Sequence, residues 1–117
     1  MAEPSLVTVV DDDESVRESL PDLLRQYGFA TQAFASAEAF LASRFVTQTR
    51  CLILDIAMPR MTGPDLQREL ARRRHNIPIV FISAYGDDEI EGAVKCLLKP
   101  FSETALLDAV NSALRAG

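Results

Sequence analysis

The feature that most constrains this chain is a set of short apolar runs separated by helix-like stretches. Ser5–Val10 is apolar and β-branched, while Arg50–Leu54 and Ile77–Ile82 are apolar almost throughout. Runs of this length without polar alternation are the pattern of strands buried on both faces, the situation inside a parallel sheet. The segments between them read as helices. Leu20, Leu23, Leu24 and Tyr27 share one helical face, with Ser15 and Glu18 as a capping box, Gly28 as the stop and Pro21 as an expected kink. Phe29–Phe34 is a weaker second strand, and Ser36 caps a short helix carrying Ala39, Phe40 and Leu41. Pro64 fits a first helical position, Leu66 and Leu70 give that helix its buried face, and Asn76 is expected to end it. Cys96–Leu98 is a short fifth strand, and Ser102 caps a last helix with Leu106, Leu107, Val110 and Leu114 facing inward. Strand and helix thus alternate five times. That order predicts an α/β, doubly wound parallel sheet with helices on both faces.

Composition narrows the function classes. The 117 residues are expected to form one domain, and 48% apolar with 25% charged content argues against disorder. No apolar run reaches the ~18 residues of a membrane span, and Met1–Ser5 lacks a basic leader region. Two cysteines make no disulfide framework, so a cytoplasmic location is expected. A net charge of −5 argues against direct nucleic-acid binding and suits a basic partner or a divalent cation.

Chemistry collects where the strands end. Asp11, Asp12 and Asp13 follow the first strand, Asp55 the third, Ser83 the fourth and Lys99 the fifth. Ligands of open α/β sheets bind beyond these carboxyl ends. Carboxylates sharing one pocket repel by about 4 kcal/mol per pair at about 4 Å with an effective dielectric near 20. A hard oxygen-seeking ion such as Mg²⁺ relieves that repulsion. A carboxylate beside Mg²⁺, a lysine and a hydroxyl can accept a phosphoryl group, with Asp55 attacking in line and Lys99 and Ser83 meeting the phosphoryl oxygens.

Val9-Val-Asp-Asp12, Leu54-Asp-Ile-Ala-Met-Pro59 with Gly63, Ile82-Ser-Ala84 and Lys99-Pro-Phe101 resemble, in order, a response-regulator receiver domain of the CheY/FixJ type. The resemblance covers essentially the whole chain. It implies a flavodoxin-like strand order 2-1-3-4-5 and phosphorylation at Asp55. It implies that Asp11 and Asp12 organise Mg²⁺ together with Asp55 and the backbone carbonyl of Ala57. Ser83 would be the switch hydroxyl, Ala84 would leave the acceptor accessible, Lys99 would pair with the phosphoryl group, and the bond before Pro100 would be cis. The implied partners are a sensor histidine kinase or phosphotransfer protein, an output domain, and a second copy in a homodimer. Two departures stand out. Cys96 occupies the place of a switch aromatic, and the interval between Ser83 and Lys99 is short, so the fourth helix is expected to be cut to about two turns built around Asp87 or Asp88, Ile90 and Val94.

Plainer roles compete at several positions. Asp13 is expected to be only a helix cap. An EF-hand is excluded because Val16 stands where its loop needs glycine. Cys51 and Cys96 are expected to be buried, unbridged side chains with a strand between them. His75 and Arg72–Arg74 are expected at the surface, and Met58 and Met61 as loop packing. Two other functions are carried forward. Asp11-Asp-Asp13 resembles the start of haloacid-dehalogenase phosphatases, with Asp11 as nucleophile and Asp13 as acid/base. A receiver locked by its shortened helix would act as a non-switching binding module.

Overall fold

The computed structural model describes residues 4–84, 93 and 95–116. Five strands alternate with helices: β1 (Leu6–Val10), α1 (Glu14–Gln26), β2 (Ala30–Phe34), α2 (Ala37–Leu41), β3 (Cys51–Asp55), α3 (Gly63–Arg72), β4 (Ile79–Ser83), β5 (Lys95–Leu98) and α4 (Glu103–Ala116). The sheet is parallel with the order β2-β1-β3-β4-β5, as the resemblance implied. The expected short helix with Asp87, Asp88, Ile90 and Val94 lies outside the described residues.

Period-two alternation divides the apolar runs between two cores. Val7 and Val9 of β1, Cys51 and Ile53 of β3, and Val80 and Ile82 of β4 pack with Leu20 and Leu24 of α1 and with Leu106, Ala109, Val110 and Ala113 of α4. The alternate residues Val10, Leu52, Leu54, Ile79 and Phe81 pack with Ala37 and Phe40 of α2 and Leu66 and Leu70 of α3. β3 and β4 are buried at every residue because both of their faces are covered. β5, with one neighbouring strand among the described residues, is mostly exposed.

The helix ends correct two expectations. Asp13, not Ser15, is the N-cap of α1, and its side chain accepts from the Ser15 backbone N–H. Pro21 lies inside α1, which runs continuously over 13 residues. Pro21 is buried with Leu20 and Leu24, and that packing offsets the missing N–H bond. α3 ends at Arg72, before Asn76, because the chain turns at Arg74 with φ 63°. There the N–H of Arg74 bonds to Ala71 and that of His75 bonds to Leu70, a Schellman closure. The end of α1 uses the same closure through Gly28 at φ 90°, with bonds from Gly28 to Arg25 and from Phe29 to Leu24. Ser36 and Ser102 cap α2 and α4 as expected, accepting from Ala39 and Ala105. Leu106 and Val110 are buried and Leu114 packs against the same core, while Leu107 is half-buried.

A left-handed arginine is strained where glycine is not. Relief of the roughly 1–2 kcal/mol left-handed penalty outweighs glycine's entropic cost of roughly 0.5–1 kcal/mol, so Arg74→Gly is expected to raise the thermal midpoint. A lowered midpoint in thermal denaturation would count against strain at this turn.

Candidate functional site

The register brings the chemical residues to one edge. Val10 pairs with Leu54, Asp55 with Ile82 and Ser83 with Leu98. Asp55 and Ser83 are thus the last residues of their strands, one residue further along than the apolar runs suggested, and Asp11 and Lys99 come immediately after β1 and β5. The sheet carries Asp11 into the interior, where it is fully buried; Asp55 is 6% exposed and Ser83 5%. Asp12, next to Asp11, is exposed to solvent.

Asp11 is held on several sides. Its N–H donates to Phe34 at 3.1 Å, and its Oδ1 accepts the Asp13 N–H at 2.9 Å. Its carbonyl accepts from Arg17 at 3.0 Å, and its Oδ2 lies 3.1 Å from Lys99 Nζ. Carboxylate oxygens of Asp11, Asp12 and Asp55 lie within 4.8 Å of one another. Lys99 is tied to its neighbour strand by its own N–H, which donates to the Ser83 carbonyl at 2.7 Å. The Lys99–Pro100 bond is cis, as the resemblance implied.

The electrostatics follow from this crowding. Burial, reinforced by the charge of Asp11 and a hydrogen bond with it, pushes Asp55 up to about 7; Lys99 and the Ala57 N–H oppose the rise. Burial by itself would lower Lys99, but Asp11, Asp55 and Asp13 outweigh it and hold the ammonium above its ordinary value. Asp13 lies below the usual carboxylate range because the Ser15 hydroxyl and N–H both donate to it.

The loop after Asp55 runs close beneath the pocket. Ala57 is exposed in it and Met58 is buried, while Met61 packs against the core. The loop closes where the Gly63 N–H donates to Ile56 at 3.0 Å. A Cβ on Gly63 would stand 2.5 Å from the Asp55 carbonyl oxygen, so only glycine lets α3 begin this near the acceptor strand. Thr62 and Asp65 complete a capping box over that start.

Cys96 departs from expectation. It was expected to be buried, but it is exposed on β5, paired in register with Phe81, while the neighbouring Leu97 packs against the core that α4 shares. Cys51 is buried as expected, and burial pushes its thiol up to about 12; neither cysteine is bridged. Arg17 escaped the sequence reading, since an arginine six residues after Asp11 in an amphipathic helix carries no motif.

The family profile described as the response regulator receiver domain matches residues 7–111. The chain belongs to that family. It is a receiver domain of two-component signalling. The response regulator protein TmoT of Ectopseudomonas mendocina is 43% identical, over 95% of this chain and 53% of its own length. The solved response regulator StyR is 47% identical with a TM-score of 0.90, over 98% of this chain and 61% of its own. FixJ-N is 38% identical with a TM-score of 0.85, over 98% of this chain and 96% of its own. The chain spans about half the length of the curated relatives it matches. These relatives are response regulators and not phosphatases, which sets aside the dehalogenase-like use of Asp11 and Asp13; Asp13 is instead engaged as a helix cap. Among the described residues, no helix is long and apolar enough to cross a membrane.

The elevated Asp55 sets a sign for pH. Its folded value lies above 3.8, so its contribution is fully present below about pH 4 and is lost as pH rises through about 7. In metal-free buffer, Asp55→Asn is expected to gain on wild type in thermal midpoint between about pH 5 and pH 8. A difference that stays constant across that range would contradict the buried charge conflict.

Proposed function

We propose that this receiver accepts a phosphoryl group on Asp55, from a sensor histidine kinase or phosphotransfer protein, with Mg²⁺ in the acidic pocket. The observation that carries the reading is the meeting of three carboxylates within 4.8 Å, closed on one side by Lys99. The donor set fits a small hard dication: all its side-chain ligands are oxygens, two of the three residues are buried, and their mutual repulsion is only partly offset by one ammonium. Asp11, Asp12 and Asp55 would hold the ion, with the Ala57 carbonyl as the family's further ligand. Bound there, Mg²⁺ would neutralise charge on phosphoryl oxygens.

The chain's own groups account for the remaining chemistry. An Asp55 oxygen bonds to phosphorus in line as the phosphorus–nitrogen bond of the donor histidine breaks, and the freed imidazole takes a proton. The product is an aspartyl phosphate. Lys99 Nζ, 3.1 Å from Asp11, would shift part of its pairing to a phosphoryl oxygen. The Ser83 hydroxyl, at the end of the adjoining strand, would donate to another. Hydrolysis reverses the modification: a water oxygen bonds to phosphorus as the bond to Asp55 breaks, releasing inorganic phosphate. In proteins built like TmoT, the segment outside the match is where an output would respond.

Incubation with acetyl phosphate and Mg²⁺ is expected to add one phosphoryl mass to the wild type and none to Asp55→Asn, measured as intact mass. Omission of Mg²⁺ is expected to suppress the addition. Equal labelling of Asp55→Asn would overturn the assignment.

A further inference from the structure

The loop between Asp55 and α3 contains a turn that is strained and yet held. Pro59 is followed by Arg60 at φ 65°, a left-handed conformation. Proline followed by a positive-φ residue is the pattern of a type II turn, whose second central position ordinarily takes glycine or asparagine. Arginine has no such freedom, so the surroundings must hold it. Its side chain meets a partner on another element: Arg60 Nε donates to Glu38 Oε2 of α2 at 3.2 Å. The other oxygen of that carboxylate, Oε1, is buried and lacks a hydrogen-bond partner among the described residues. Both side chains are largely exposed, Arg60 at 70% and Glu38 at 43%, so the pair itself adds little to stability.

The same loop reaches the acceptor at its other end. Ala57 follows Asp55 by two residues, Gly63 packs against the Asp55 carbonyl, and the Gly63 N–H closes the loop on Ile56. Between these fixed points, the Glu38–Arg60 contact ties the turn to α2, an element with no other residue in the site.

We propose that Glu38 and Arg60 are a positioning pair, which fastens the acceptor loop to α2 and so sets how quickly Asp55 takes up a phosphoryl group. This rests on the reading of Asp55 as the acceptor. Glu38 touches no reacting atom; it acts through Arg60 and the loop on the placement of Ala57.

The test is a double-mutant cycle on the full chain with Glu38→Ala, Arg60→Gln and the pair together. Phosphoryl uptake from acetyl phosphate with Mg²⁺ is followed by intact mass, beside the thermal midpoint of each protein. Each single change is expected to slow uptake roughly two- to fivefold, the range that an exposed ion pair carries. The double change is expected to slow it no more than either single one. Arg60→Gly separates positioning from stability: it relieves the left-handed strain, so its midpoint is expected to stay level or rise while uptake slows as for Arg60→Gln. Unchanged uptake, additive effects, or rates that follow the midpoints would overturn the pairing. A wild type that takes no phosphoryl group, or an Asp55→Asn that does, would overturn both this inference and the reading it rests on.

Discussion

Like charges forced together at the edge of a sheet are the constraint around which this domain is arranged. Asp11 is fully buried and Asp55 nearly so, and their oxygens meet those of Asp12 within 4.8 Å. Hydrophobic packing makes this possible. The two cores that flank β1, β3 and β4 fix the strand ends in register, which brings Asp11 and Asp55 together. One lysine offsets part of the repulsion from across the sheet. The remainder is free energy that a cation held among the carboxylates would relieve, and a ligand with that differential affinity would shift the balance of such a site.

The lysine reaches that position through backbone geometry more than through side-chain contacts. Its N–H is bonded to the Ser83 carbonyl, so the ammonium and the candidate switch hydroxyl are anchored to the same strand pair. Gly63 plays the corresponding part from below. By lacking a side chain, it lets α3 approach the carbonyl of Asp55 and gives the loop between them a fixed length and exit.

Much of this was legible in the residues. Apolar runs without alternation announced the buried strands, and the polar residue that ends each run marked the site, because a parallel sheet puts all those ends together. The family resemblance supplied the strand order and the cis bond before Pro100, which no periodicity encodes. What was not legible depends on tertiary context. Pro21 is tolerated in α1 by packing that a helical pattern does not reveal. Arg74 and Arg60 occupy left-handed positions that sequence rules reserve for glycine and asparagine. Cys96 looks apolar enough to be buried and is exposed on β5, where the neighbouring Leu97 packs against the core. Arg17 and Glu38 reach their partners from helix faces that read as ordinary solvated surface.

The bond from Lys99 to the carbonyl of Ser83 has an architectural consequence. Whatever path the polypeptide takes after Ser83, it returns to the residue it left, so that excursion is cinched at its root. The entropy of closing such a loop changes only slowly with its length. The length of this stretch therefore bears little on where Ser83 and Lys99 stand relative to one another.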